Sequence, residues 1–104
     1  NARHEHEWRV FETVRLPPGK VLIPGVIDST TNIVEHPRVV ADRICRFAAI
    51  VGQQNVIAGT DCGFATFARY ALVDPKIAWT KLRALAEGAR LAFALLGGAR
   101  TAAE

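Results

Sequence analysis

The sequence predicts an α/β fold in which parallel strands alternate with helices, and three observations predict it. Two short, nearly continuous apolar runs, within "GKVLIPGVID" (19–28) and "NVIAGTDCG" (55–63), have the pattern of strands covered on both faces. Each is followed by a loop and then by a segment whose apolar residues recur at helical spacing. Each also ends in a polar or reactive cluster, Asp28-Ser29-Thr30 and Thr60-Asp61-Cys62. Parallel α/β folds place their ligands at the carboxyl ends of strands.

The elements follow in order. The chain opens on the charged "NARHEHEW" (1–8), and a helix is expected over 4–14. It does not begin with methionine, so an upstream portion is expected to be missing or removed. The first strand is expected over 20–27, and the loop "STTNIVE" (29–35) leads to "HPRVVADRICRFAAIVG" (36–52). There Pro37 suits a first helical turn and Gly52 a stop, which bounds a helix at 37–51. Val40, Ile44, Phe47 and Val51 share one face of it, at spacings of 4, 3 and 4. The second strand is expected over 55–59. A longer loop then reaches "DPKIAWTKLRALAEGARLAFALLGG" (74–98), with Asp74 as N-cap and Pro75 as first helical residue. Ala78, Leu82, Leu85, Ala89, Ala92 and Leu96 form its apolar stripe, Gly97-Gly98 are expected to end it, and the tail "ARTAAE" (99–104) is expected to fray. No linker divides residues 1–104. Two parallel strands do not make a stable sheet alone, and a closed barrel of eight such units takes about 250 residues. The 104 residues therefore read as the last two β/α units of a (β/α)8 (TIM) barrel, preceded by a helix.

Composition sets limits. Half the residues are apolar and 22% are charged, enough for a modest core. No apolar run approaches the roughly 20 residues of a membrane span, and no signal peptide opens the chain. The net charge is +3, but the thirteen Lys and Arg are scattered from Arg3 to Arg100, which argues against nucleic acid as a partner. With only Cys45 and Cys62 and no mark of secretion, a reduced, cytoplasmic protein is expected.

Cys62 has two readings: a small apolar filler at a strand end, or a zinc ligand or nucleophile. Cys45 lies beside the main stripe of its helix and is expected to pack. "HEHE" (4–7) is not the HExxH arrangement, since His4 and His6 are two apart and point to different sides. A solvated helix start fits it better. Asp28 and Asp61 can accept hydrogen bonds from a substrate ammonium or can cap the loops that follow them. There is no GxGxxG, P-loop, GxSxG or CxxC motif.

"RHEHEW", "KVLIPGVIDSTTNIVEHP", "VIAGTDCGF" and "AWTKLRALAEGARLA", in this order from about Arg3 to Leu96, resemble the carboxyl-terminal part of the cobalamin-independent methionine synthase family. The resemblance implies a (β/α)8 barrel of the uroporphyrinogen decarboxylase and methionine synthase type, carrying zinc at its carboxyl face. It implies transfer of a methyl group from 5-methyltetrahydrofolate (polyglutamate) to the thiol of homocysteine, which zinc holds as a thiolate. The family's zinc ligands are a His-x-Cys pair, a glutamate and a late cysteine. The last matches Cys62, and the others would lie upstream of Asn1, so tight zinc is not expected on these residues alone. A catalytic role is implied for Asp28 and substrate binding for Asp61. Methionine synthases carry a proton-donating histidine in an Asp-x-His motif, whereas here Asp28 is followed by Ser29 and Thr30. That departure leaves room for a related zinc-dependent thiol alkylation, such as that of the epoxyalkane–coenzyme M transferases, which the family also resembles. The expected partners are a small-molecule thiol and a methyl donor, and the remainder of the barrel or further copies at exposed strand edges. A non-catalytic assembly module is the alternative of a different class.

Overall fold

The computed structural model describes residues 2–67 and 69–103. The charged opening winds as a 3-10 helix, Ala2–Arg9, and relaxes into one α-helical turn, α1 (Val10–Thr13), so the helix expected over 4–14 is present in mixed form. Contacts with a later helix hold it. Glu5 Oε1 accepts a hydrogen bond from Arg43 Nε at 3.0 Å and lies 3.7 Å from Arg46. The Arg46 guanidinium stands 5.2 Å from the centre of the Trp8 ring, and Phe11 meets Phe47 edge to face. "HEHE" is thus more than a solvated start, because Glu5 is a tertiary anchor.

The first apolar run yields a strand, β1 (Gly25–Ile27), and the next helix, α2 (Pro37–Val51), has the predicted bounds. His36 caps α2 by accepting a bond from the Arg38 N–H at 3.0 Å, and Gly52 stops it at φ 93°. The second strand, β2 (Gly59–Thr60), runs parallel to β1, with Gly25 opposite Gly59 and Ile27 opposite Thr60. The two strands are adjacent and parallel as expected, but shorter than 20–27 and 55–59. Pro24 has no N–H to give to a ladder, and the register shifts between Gly25 and Ile27. The earlier pairing survives as a separate bridge, Leu22 with Val56.

After Cys62 comes an antiparallel hairpin, β3 (Ala65–Phe67) and β4 (Tyr70–Ala71), which the sequence did not announce. Its turn carries Arg69 at φ 66°, where tight hairpins usually show Gly, Asn or Asp. The last helix is α3 (Pro75–Ala103), opened as predicted by Asp74, whose carboxylate accepts from the Lys76 N–H at 2.8 Å. It does not end at Gly97-Gly98. A helical glycine costs only about 1 kcal/mol relative to alanine, and the mostly helix-favouring "ARTAA" carries α3 on to Ala103. The tail is part of α3 as far as Ala103, and Glu104 lies outside the described residues.

α2 packs against α3 and both pack on β1. The core is Val26, Ile27, Val40, Ala41, Ile44 and Ala92, with Cys45, Val56, Leu85 and Ala89 half-buried around it. Cys45 therefore packs, as expected. The most buried line of α3 is Lys81, Ala84, Gly88 and Ala92, one side of the predicted stripe. Gly88 sets the distance between the helices: a Cβ there would stand 2.5 Å from Val40 Cβ and 2.9 Å from the Pro37 carbonyl oxygen. Val21, Ile23 and Ile57 are exposed along the small sheet, whereas Val56 is half-buried. No helix among the described residues is long and apolar enough to cross a membrane.

Gly88→Ala should destabilise the chain. Overpacking of about 1–3 kcal/mol outweighs a gain of about 1 kcal/mol in helix propensity. Urea unfolding followed by circular dichroism measures the difference, and an unchanged or higher midpoint would mean that the helices separate at no cost.

Candidate functional site

Parallel pairing brings the two polar clusters to the same end of the sheet. The Asp61 N–H donates to the Ile27 carbonyl at 2.9 Å, so the residues that follow each strand emerge side by side. Gly25 permits this approach, since a Cβ at that position would stand 2.5 Å from Asp61 Cα. Asp61 is half-buried and lines a cleft of about 380 Å³ with His4, Trp8, Phe11, Arg43 and Phe47. Cys62 is a free thiol and is exposed.

Asp28 is held within a network. Its Oδ1 accepts two hydrogen bonds from Thr30, from the N–H and from the hydroxyl, both at 2.8 Å. Its own N–H donates to Glu35 Oε2 at 2.7 Å. The other Glu35 oxygen pairs with the Lys81 ammonium at 2.7 Å, and Lys81 also donates to the Ile33 carbonyl. The Lys81 side chain is 0% exposed and that of Glu35 is 9%. Ser29 is buried, and its hydroxyl has no hydrogen-bond partner among the described residues.

The network sets the charge on Asp28. Burial pushes its carboxyl up, but the two hydrogen bonds from Thr30 and, to a smaller degree, nearby positive charges that include Lys81 outweigh that, and the pKa falls below its ordinary value. The Cys45 thiol moves the other way. Burial raises its pKa and the Asp42 carboxylate raises it further, as suits a packed residue.

The three residues singled out from the sequence, Asp28, Asp61 and Cys62, thus share one end of the sheet. His4 shares the cleft with Asp61, and there its Nδ1 bonds Glu7 at 2.8 Å within its own helix. Sequence reading missed Glu35 and Lys81. A signal was available, because Lys81 falls at helical spacing with Ala84, Gly88 and Ala92 on the buried face. Zinc usually takes four ligands, three from protein at the least. Among the described residues no group of three His, Cys, Asp or Glu could hold a metal, so these residues do not fit a zinc site by themselves. Cys62 is a single donor.

No family model matches the chain. Among curated proteins it is 39% identical over 94 residues to 2-hydroxypropyl-CoM lyase of Xanthobacter autotrophicus, a match that covers 90% of this chain and 23% of that protein. Among solved structures it superposes on a B12-independent methionine synthase from a Shewanella species, determined in complex with selenomethionine. The TM-score is 0.71 at 25% identity, over 88% of this chain and 24% of that one. The chain thus spans about a quarter of each relative's length. The resemblance to cobalamin-independent methionine synthases read from the sequence is borne out, and so is an α/β fold with a small parallel sheet.

Asp28 should make the fold acid-sensitive. Its pKa is lower folded than unfolded, so the stability it adds is present above about pH 4 and is lost as the pH falls through the folded value. Asp28→Asn should flatten the fall of the urea midpoint between about pH 5 and pH 2. An unchanged slope in the variant would show that other carboxylates carry it.

Proposed function

We propose that the chain forms the last two β/α units of a (β/α)8 barrel, and that this barrel is a zinc-dependent enzyme acting at a thiol. The observation that carries the reading is the parallel pairing that sets Asp28 beside Asp61 and Cys62 at the carboxyl end of the sheet. Both relatives support it, since methionine and 2-hydroxypropyl-CoM are each thioethers built on a small thiol. In this reading Cys62 is one zinc ligand, and the rest of the barrel supplies the others. Zinc, when bound, holds the substrate thiol as a nucleophilic thiolate. Asp28, kept anionic, accepts a hydrogen bond from a substrate ammonium or hydroxyl, and Oδ2 is the oxygen not engaged by Thr30. Asp61 faces the cleft and binds substrate at its edge.

Two reactions fit this frame. In the first, a methyl group passes from 5-methyltetrahydrofolate to homocysteine, giving methionine. In the second, the sulfur of a thiol such as coenzyme M bonds a carbon of an epoxyalkane, the C–O bond opens, and the alkoxide takes a proton to give the 2-hydroxyalkyl thioether. One observation favours the second. The position after Asp28-Ser29 is occupied by Thr30, not histidine, and the Thr30 hydroxyl is already engaged by Asp28. A missing general acid typically costs about 10²- to 10⁴-fold. Methionine formation by the full-length protein should therefore fall well below a typical turnover of about 10 per second.

Metal analysis and activity test the reading together. Cys62→Ala in the full-length protein should lose most bound zinc and all thiol transfer; zinc retained at one per chain would sink the assignment. Parallel assays with homocysteine plus methyltetrahydrofolate and with 2-hydroxypropyl-CoM decide between the reactions. Sedimentation of the pure 104-residue chain addresses the fold. Exposed Val21, Ile23 and Ile57 and unpaired strand edges should make it self-associate. A monodisperse monomer at micromolar concentration would favour a self-sufficient module.

A further inference from the structure

We infer that Glu35 and Lys81 are positioning residues that clamp the Asp28 turn, an inference that rests on the proposed role of Asp28 in the thiol-transfer site. Packing alone does not account for this pair. A buried ion pair can often be replaced by apolar residues of similar volume with no loss of stability. Directed hydrogen bonds are what apolar residues cannot supply, and here every one of them ends on the same loop. Glu35 Oε2 takes the Asp28 N–H at 2.7 Å, at the point where β1 stops. Glu35 Oε1 accepts from Lys81 Nζ at 2.7 Å, and Lys81 also donates to the Ile33 carbonyl. One carboxylate therefore ties the start of the loop to its end, and one ammonium, 46 residues further along the chain, ties both to α3.

The consequence falls on the Asp28 side chain. With its N–H fixed from behind by Glu35 and its Oδ1 fixed from the front by Thr30, the carboxylate has one orientation. The Lys81 charge also lowers its pKa without touching it. Glu35 and Lys81 are nearly or wholly buried, so they act through Asp28 and not on substrate.

The test uses the full-length protein. Lys81→Met leaves Glu35 buried and unpaired and can fail to fold, so the informative variant is the apolar double substitution Glu35→Met with Lys81→Met, which also removes the acceptor of the Asp28 N–H. It should bind zinc as the wild type does and keep the hydrogen-exchange protection of the core amides of Val40 and Ile44. The Asp28 amide should exchange at least tenfold faster. With whichever thiol substrate the wild type accepts, kcat should fall about tenfold or more while KM changes little. In the double variant, Asp28→Asn should add almost nothing further, although it is costly in the wild-type background. Unchanged protection at Asp28, or an undiminished Asp28→Asn effect, would overturn the clamp. If the wild type turns over no thiol substrate, the proposed function fails while amide exchange at Asp28 still decides the clamp.

Discussion

Burying an ammonium group obliges a chain to bring oxygen to it. Lys81 lies on the face of α3 that packs toward α2, fully out of solvent, and leaving it unpaired there would cost several kcal/mol. The loop between β1 and α2 meets that demand with the Glu35 carboxylate and the Ile33 carbonyl. In meeting it the loop loses its freedom. The end of β1, the approach to α2 and the middle of α3 become one hydrogen-bonded unit, and Asp28 sits at its corner. The site residue is fixed by a charge that belongs to the core.

This unit requires close helices. Gly88 lets α3 approach Val40 of α2, and the small buried residues Ala84 and Ala92 lie one turn to either side of it. A wider spacing would draw Lys81 away from the loop. On the other flank, Arg43 of α2 bonds both Glu5 of the opening helix and the Val26 carbonyl of β1, at 3.0 and 3.1 Å. The opening helix, β1 and α2 are thereby linked through one guanidinium, and the cleft that Asp61 lines runs between them. The two flanks brace β1 independently, so its carboxyl end is held from both sides.

Local chemistry was legible in the sequence, and chemistry that depends on distant partners was not. Pro37 and Gly52 bounded α2 correctly because a missing N–H and a positive φ act within one turn. Asp74 opened α3 for the same reason. The strands came out short because pairing depends on register, and Pro24 interrupts a ladder that looks continuous as a run of apolar letters. Gly97-Gly98 did not stop α3, since two glycines weaken a helix without blocking it. The hairpin after Cys62 has Arg69 at the position where a turn signal would stand. Parallel-strand logic placed Asp28, Asp61 and Cys62 together correctly. The spacing of Lys81 with Ala84, Gly88 and Ala92 marks a charge on the buried face, but it does not name the partner, and Glu35 is 46 residues away.

Asp28 and Cys62 differ in how far this chain completes them. Everything that orients Asp28 lies within this chain: Thr30 in front, Glu35 behind, Lys81 beyond. Cys62 is exposed, and no group of three metal donors forms around it among the described residues. The two roles proposed for them require this contrast. A hydrogen-bonding carboxylate must be aimed before substrate arrives, because nothing else will aim it. A thiolate that ligates a metal needs reach first, since coordination itself then fixes its rotamer and removes its proton. A strand end that presents one preset carboxylate beside one unencumbered thiol is therefore suited to a site whose remaining donors come from other strands of a closed barrel. The side chains exposed at Val21, Ile23 and Ile57 are an apolar surface that the rest of such a barrel would cover.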